Sequence, residues 1–165
     1  MLTLGEREDV TARVGLPLVI EVNRALRLDE EARRLFGSPR SEKDFGADEQ
    51  IESLATLLAA GGDRIEDIRI LSEDKGLIRL LGRSFASPDS LLDFLNSFHD
   101  PKCWNERPED KKAFVPPESA RLKKLDALNQ ALILRAADAT QTVATIDHDG
   151  TIIESHKRDT LVAYE

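Results

Sequence analysis

The chain has few of the features that stabilise secreted or membrane proteins. Its 165 residues include one cysteine, Cys103, which excludes a disulfide framework and fits a reducing cytoplasm. No stretch is apolar over the roughly 20 residues that a membrane-spanning helix needs, and no secretory leader pattern is present. We therefore expect a soluble, cytoplasmic protein without a membrane partner.

Aromatic residues are also scarce, and acidic residues outnumber basic ones. Aromatics make up 5% of the chain, so aliphatic side chains must fill any core. The net charge of −8, from 31 acidic and 23 basic residues, argues against a broad basic surface for nucleic acid. A local basic face is still compatible with this charge, because charges more than about 10 Å apart are screened. Five cations are the candidates for such a DNA-contacting face: Arg121, Lys123, Lys124, Lys157 and Arg158.

The spacing of apolar residues predicts helices over most of residues 14–137. A first helix is expected over residues 16–28, and a second over residues 30–36 with Asp29 as its N-cap. A third is expected over residues 47–60, because Gly61 and the glycine after it stop the pattern. Four side chains of this third helix are expected to face the core: Ile51, Leu54, Leu57 and Leu58.

Further helices are predicted over residues 64–71, capped by Asp63, and over residues 75–81. Ser87 and Pro88 carry the clearest start signal of the chain, and a long amphipathic helix is expected over residues 118–137. The expected apolar face of that long helix consists of Leu122, Leu125, Leu128, Leu132 and Ile133.

The helix that begins at Ser87 could also serve as the last helix of a helix-turn-helix unit, which would present it to a DNA groove. Its exposed face, however, offers Asp89, Asp93 and Asn96 and no basic residue. We therefore favour ordinary helical packing for this segment.

Residues 145–158 combine two aspartates with an apolar, β-branched segment and a following His-Lys-Arg cluster. In one interpretation Asp149 and Gly150 form the turn of a plain hairpin. In the other, one strand runs straight through, so that Asp147 and Asp149 share a face and hold a cation that offsets their repulsion. The residues alone leave both interpretations open.

Four blocks in this chain resemble one family when they are taken in order. Residues 61–76 contain Gly-Gly-Asp followed by Glu-Asp-Ile-Arg, and residues 87–100 contain Ser-Pro, Phe-Leu and Phe-His-Asp. Residues 113–116 read Ala-Phe-Val-Pro, and residues 145–164 contain Asp-His-Asp-Gly-Thr, Glu-x-His-Lys-Arg and a tyrosine. In this order, from about residue 14 to residue 165, the chain resembles the DDE-type transposases of bacterial insertion sequences (group 1).

The resemblance implies a mainly α fold with two parts. Residues 1–137 would form a helical domain for DNA binding and assembly. Residues 138–165 would be the incomplete start of a ribonuclease-H-like catalytic domain, opened by a strand or hairpin. DNA, in the form of the transposon ends, would be the partner.

The resemblance also implies a metal-dependent reaction. In the family, three acidic residues hold two Mg²⁺ ions that activate water or a DNA 3′-hydroxyl for attack on a phosphodiester. Asp149 matches the first of the three, and Asp147 is the alternate. The second aspartate and the glutamate are expected beyond Glu165, so we expect neither cleavage nor tight Mg²⁺ binding from these residues alone.

A non-enzymatic function is the alternative hypothesis. In it the chain is a helical interaction module, or a remnant open reading frame, whose terminal hairpin mediates packing or homodimerisation. The coding sequence after Glu165 would distinguish the two hypotheses, because a transposase would continue into the missing acidic motifs.

Overall fold

The computed structural model describes residues 10–39, 41, 44–104, 116–137, 140 and 143. Helices are the only regular structure in these residues, which confirms the predicted mainly α class. The strand or hairpin predicted within residues 141–156 lies outside the described residues, apart from Val143. In chain order the elements are α1 (Leu16–Ala25), α2 (Leu28–Phe36), α3 (Ala47–Ala59), a 3₁₀ turn (Ile65–Asp67), α4 (Ile68–Glu73), α5 (Lys75–Leu81), α6 (Pro88–Asn96), a second 3₁₀ turn (Pro101–Trp104) and α7 (Ala120–Ala136).

The helix predicted over residues 16–28 is wrong, because the chain breaks between α1 and α2. Arg27 has a φ of 54°, in the left-handed region that a non-glycine residue seldom adopts. The break redirects the chain so that Leu28, 5% exposed, enters the interior as the first residue of α2. Asp29 is therefore not a cap but lies in the first turn of α2, where its charge complements the helix dipole.

Helix α3 follows its predicted range, and Leu54 packs against the core as predicted, but part of the predicted inward face is exposed. Leu57 is buried as expected, whereas Leu58 is 72% exposed, so its predicted inward position is wrong. Ser53 and Thr56 are buried instead, because each hydroxyl donates to a carbonyl one turn earlier in the same helix. Ser53 Oγ also accepts the Ala86 amide at 3.3 Å, which ties α3 to the segment before α6.

The helix starts between residues 60 and 90 depend on two aspartates and one serine. Asp67, not Asp63, takes the capping role in the first of them, since its carboxylate accepts the amides of Asp63 and Arg64 at 3.0 Å. Asp74 caps α5 by accepting the Leu77 amide. Ser87 caps α6 by accepting the amide of Ser90, which confirms the predicted start.

One hydrophobic core joins α1, α3, α4, α5 and α6. Its buried members are aliphatic apart from one phenylalanine, as the low aromatic content predicts. Among the described residues this core cluster takes no member from α7. The cluster consists of Leu16, Leu57, Ile68, Leu71, Leu77, Phe85, Ala86 and Leu91.

Helix α7 packs chiefly against α2. Ser119 caps it by accepting the Leu122 amide, and the same hydroxyl donates to the Phe98 carbonyl at 2.7 Å. Leu128 is fully buried, whereas Leu122 and Ile133 are 39% and 58% exposed, so the predicted apolar face is too wide. A helix with one main neighbour buries a narrow stripe.

None of the described helices is long and apolar enough to cross a lipid bilayer.

Candidate functional site

Four of the seven residues predicted to bind metal or DNA lie outside the described residues. They are Asp147, Asp149, Lys157 and Arg158, and their roles stay predictions. The other three, Arg121, Lys123 and Lys124, lie in the first two turns of α7.

The structure separates Arg121 from the two lysines. The side chains of Lys123 and Lys124 are exposed, whereas Arg121 is half-buried against the rest of the protein. This difference follows from helical periodicity, because residues 121, 125 and 128 lie along one face and residue 123 lies on the opposite one. Lys123 and Lys124 are therefore the two predicted cations of α7 that remain accessible to a partner.

Arg121 points into a cluster of three phenylalanine rings, which we call the phenylalanine cage: Phe36, Phe94 and Phe98. The rings meet edge to face, with centroids 5.0–6.5 Å apart and interplanar angles of 64–88°. The Cζ atom of Arg121 lies 5.2, 5.5 and 5.3 Å from the three centroids. All three distances fall within the 6 Å range of cation–π attraction.

The phenylalanine cage joins two helices to a third. Phe36 is the last residue of α2, Phe94 belongs to α6, and Phe98 follows α6 by two residues. The guanidinium of Arg121 consequently links the first turn of α7 to both. Its Nε is buried and has no hydrogen-bond acceptor among the described residues, so the rings are its main partners.

The other end of α7 carries a second arginine contact. Arg135 Nη1 donates to the carbonyls of Leu26 and Arg27 at 2.8 and 3.1 Å. Its Nη2 donates to Glu31 Oε2 at 2.7 Å. We call this set of contacts the Arg135 clamp. Leu26 follows the last residue of α1 and Arg27 precedes α2, so the clamp holds the turn between these two helices. The Arg27 carbonyl also accepts the Glu31 amide at 3.2 Å.

Glu31 is the acidic centre of that clamp. Its side chain is 9% exposed, and Arg34 bonds its second oxygen. The hydrogen bond from Arg34 is the largest effect on the pKa of Glu31; partial burial raises this pKa, Arg135 lowers it, and the net pKa lies below its ordinary value. Glu31 therefore stays ionised and available to Arg135 at neutral pH.

A charged cleft of about 170 Å³ opens between α1, α2 and α3. On its walls Arg33 Nη2 lies 2.6 Å from Asp48 Oδ2, and Arg83 Nη1 lies 2.7 Å from Glu52 Oε2. The side chain of Asp48 is 5% exposed, and Arg33 is the cation paired with it. Each of these four charged side chains is therefore paired with one of opposite sign.

Burial raises the pKa of Glu52, and Arg83 offsets part of that effect. Arg83 Nε and Nη2 are buried without an acceptor among the described residues. Each buried donor that lacks an acceptor lowers the folding stability by about 1–3 kcal/mol. The pair is thus a contact between α3 and the segment after α5.

Metal and groove-binding roles find no support in the described part of the chain. No group of three or more His, Cys, Asp or Glu side chains in it could share a metal ion. Helix α6 buries Leu91 and Phe94 and exposes Asp89 and Asp93, so it lacks the cations that phosphate contact requires. Its role is helical packing.

The phenylalanine cage and the Arg135 clamp were not predicted from the sequence. Phe94 and Phe98 stand four residues apart, which could have indicated an aromatic pair on one helix face. Phe36 is distant in sequence, and nothing local marks Arg121 as half-buried or Arg135 as a contact to the turn before α2. Both arginines required the packing of α7 on α2 to be known.

Comparison with known proteins gives no identification, since no known protein family, curated protein or solved structure matches this chain.

Proposed function

We propose that this chain is the N-terminal region of a DDE-type insertion-sequence transposase that acts in the cytoplasm. The observation that carries the proposal is the order of the four sequence blocks at residues 61–76, 87–100, 113–116 and 145–164. Single motifs of this length recur by chance, whereas four in one order seldom do. The helices described between Leu16 and Ala136 agree with the assembly and DNA-binding part of that proposal.

DNA contact in this proposal falls on the start of α7. Lys123 and Lys124 are exposed there, and Asp126 is the one nearby acid on the same helix. Two free lysines neutralise few phosphates, so we expect weak binding that tolerates any sequence and weakens as salt is added. Lys157 and Arg158 would extend this contact.

The experiment for DNA contact is a salt titration of binding to a short duplex, followed by fluorescence anisotropy. The slope of log K against log salt is negative, and replacing Lys123 and Lys124 with glutamine should reduce its magnitude by about 2. Arg121 is kept, because its loss would disturb α7 itself. The matched control replaces two exposed arginines elsewhere, Arg64 and Arg69, with glutamine and should leave the slope unchanged.

If the control and the lysine variant weaken binding equally, α7 is not the contact surface. If neither protein binds DNA at low salt, the DNA-binding part of the proposal fails.

The catalytic part of the proposal assigns Asp149 as the first metal carboxylate, with Asp147 as the alternate. Two carboxylates make a poor Mg²⁺ site, because the ion prefers near-octahedral oxygen ligands and gives up its waters reluctantly. Titration of Mg²⁺ followed by NMR at both aspartates should therefore show weak binding. Saturable, tight binding would contradict the assignment, since it would require a site completed within these residues, such as by Glu154.

In a protein that carries all three carboxylates, Asp149→Asn should abolish DNA cleavage and leave folding intact. Loss of cleavage on Asp147→Asn alone, with Asp149→Asn active, would exchange the two roles.

An interaction module is the second candidate, and α1 favours it. Leu18 and Val22 are 68% and 56% exposed and lie four residues apart on one face of α1, and Val14, 71% exposed, lies in the turn before the helix. Exposed apolar side chains of this kind suit contact with another protein surface. Analytical ultracentrifugation of the protein and its Leu18→Glu variant tests for self-association through α1.

A further inference from the structure

The geometry points to a guanidinium-binding site in this protein: we propose that Phe36, Phe94 and Phe98 bind the guanidinium of Arg121 as an intramolecular ligand, and that this occupancy docks α7 on the rest of the bundle. The inference is independent of the proposed function, because neither DNA nor metal enters it.

The position of Arg121 is the first argument. Its Cζ lies within 5.2–5.5 Å of all three centroids, so the cation is central and not stacked on a single ring. The faces of aromatic rings carry negative potential, and a guanidinium is hydrated weakly enough to leave water for such a site. Three rings around one weakly hydrated cation form a receptor selective for charge and planar shape.

The burial of α7 is the second argument. Leu128 is the fully buried residue among its 17, and the main hydrophobic core has no described member from this helix. Apolar burial therefore holds α7 less firmly than it holds the core helices, since Leu125 and Leu132 are only half-buried. Among the described residues, polar and cationic contacts add to it: Arg121 in the cage, the Arg135 clamp, and the hydroxyl of Ser119 on the Phe98 carbonyl.

The marginal stability of single helices is the third argument. An isolated helix of this length is barely stable in water, so α7 must lose structure when it leaves α2. Exchange of its amide hydrogens then reports undocking. The amides of α3, in the main core, report unfolding of the whole bundle and serve as an internal reference.

Hydrogen exchange with and without a soluble guanidinium tests the proposal. Arg121→Ala empties the phenylalanine cage and should speed exchange of the amides of residues 125–132 by about tenfold to a hundredfold. The amides of residues 53–57 should keep their wild-type rates. Lys124→Ala, in the same turn but exposed, is the matched control and should leave both sets unchanged.

Chemical rescue decides whether the site recognises the cation. Methylguanidinium at about 50 mM, far below the molar concentrations at which guanidinium salts unfold proteins, should restore at least half of the lost protection in Arg121→Ala. Urea, which has a similar planar shape but no charge, and sodium chloride at equal ionic strength should restore none. Adding Phe98→Leu to Arg121→Ala should remove the rescue, because the substitution keeps apolar bulk and deletes a ring.

Three results would overturn the inference. The first is that Arg121→Met, which keeps the side-chain length and loses the charge, protects the α7 amides from exchange as well as arginine does. The second is that urea restores the protection lost in Arg121→Ala as effectively as methylguanidinium. The amides of α3 could accelerate together with those of α7, in which case α7 is not docked separately.

Discussion

The main core and the contact surface of α7 hold helices together by different means. In the core, aliphatic side chains such as Ile68, Leu77 and Leu91 are 0% exposed and pack on one another without charge. At α7, arginines carry the contact: one lies against aromatic rings, and the other binds carbonyls and a carboxylate. Both means act in one small protein and on adjoining helices.

The two kinds of contact differ in how strictly they depend on the positions of their partner atoms. Apolar burial scales with area and accepts many arrangements, so it fixes a helix firmly but permits repacking. Arginine contacts require defined acceptor positions and lose most of their strength when those positions shift. The core therefore stabilises the fold, whereas the arginine contacts set where α7 lies on α2.

The largest expected effect comes from breaking the core. Leu91→Ala should lower the free energy of unfolding by about 2–5 kcal/mol, because it removes buried methyl groups and leaves a cavity. Urea unfolding followed by circular dichroism measures it, and α7 should be lost in the same transition. Leu80→Ala, at a side chain 58% exposed, is the control and should change stability by less than about 0.5 kcal/mol. Retention of stability in Leu91→Ala would mean that the core described above does not support the fold.

Breaking the clamp should affect one region only. Arg135→Ala removes the donor to the Leu26 and Arg27 carbonyls and to Glu31, so exchange of α7 amides should rise by about tenfold. The urea midpoint of the core should move little by comparison. Arg135→Lys should recover part of the protection, since lysine keeps the charge but cannot bond three acceptors in the same fork geometry. Equal acceleration of α3 and α7 exchange would erase the distinction between the two regions.

Acidification should change the stability contributed by the Arg135 clamp and by the charged cleft in opposite directions. The pKa of Glu31 lies below its ordinary value of 4.5, so its stabilisation is complete above pH 4.5 and is lost as pH falls through the folded pKa. The pKa of Glu52 is raised by burial, so its ionisation removes stability as pH rises through that folded pKa. Glu31→Gln should flatten the loss of stability on acidification, whereas Glu52→Gln should steepen it. Urea midpoints from about pH 7 to about pH 4 measure both slopes; a shift of the two variants in the same direction would contradict the assignment.

The smallest effect concerns the turn where the two regions meet. Arg27→Gly should raise stability slightly, by up to about 0.5 kcal/mol, because glycine adopts the left-handed conformation without steric strain. Arg24→Gly makes the same change inside α1 and should cost about 1 kcal/mol. Thermal melts of the two variants compare them directly. Destabilisation by both would show that the turn at Arg27 carries no strain that glycine relieves.

The sequence predicted the helices well where capping signals are local. Ser87 and Pro88 mark the start of α6 unambiguously, and the two glycines that follow α3 mark its end. These signals involve residues within one turn of each other, so no tertiary contact is needed to interpret them. The same locality explains why the mainly α class was predicted correctly.

Where tertiary contacts decide, the sequence was misleading. Leu18 and Val22 are spaced as one face of α1, yet both are exposed, and Leu16 and Ile20 are buried instead. Both faces of α1 are apolar, so periodicity could not choose between them. The position of Arg121 was misjudged for a related reason. A basic residue beside two lysines suggests an exposed side chain, whereas contact with three rings that are distant in sequence leaves Arg121 half-buried.

The hydroxyl of Ser119 has a consequence for how this fold can diverge. By donating to the Phe98 carbonyl it joins the two ends of the 20-residue stretch between them, whatever that stretch contains. The entropic cost of closing such a loop grows slowly, by about 0.6 kcal/mol for each doubling of its length. Insertions and deletions between residues 99 and 118 should therefore accumulate among related chains without displacing α7, while serine or threonine persists at its cap.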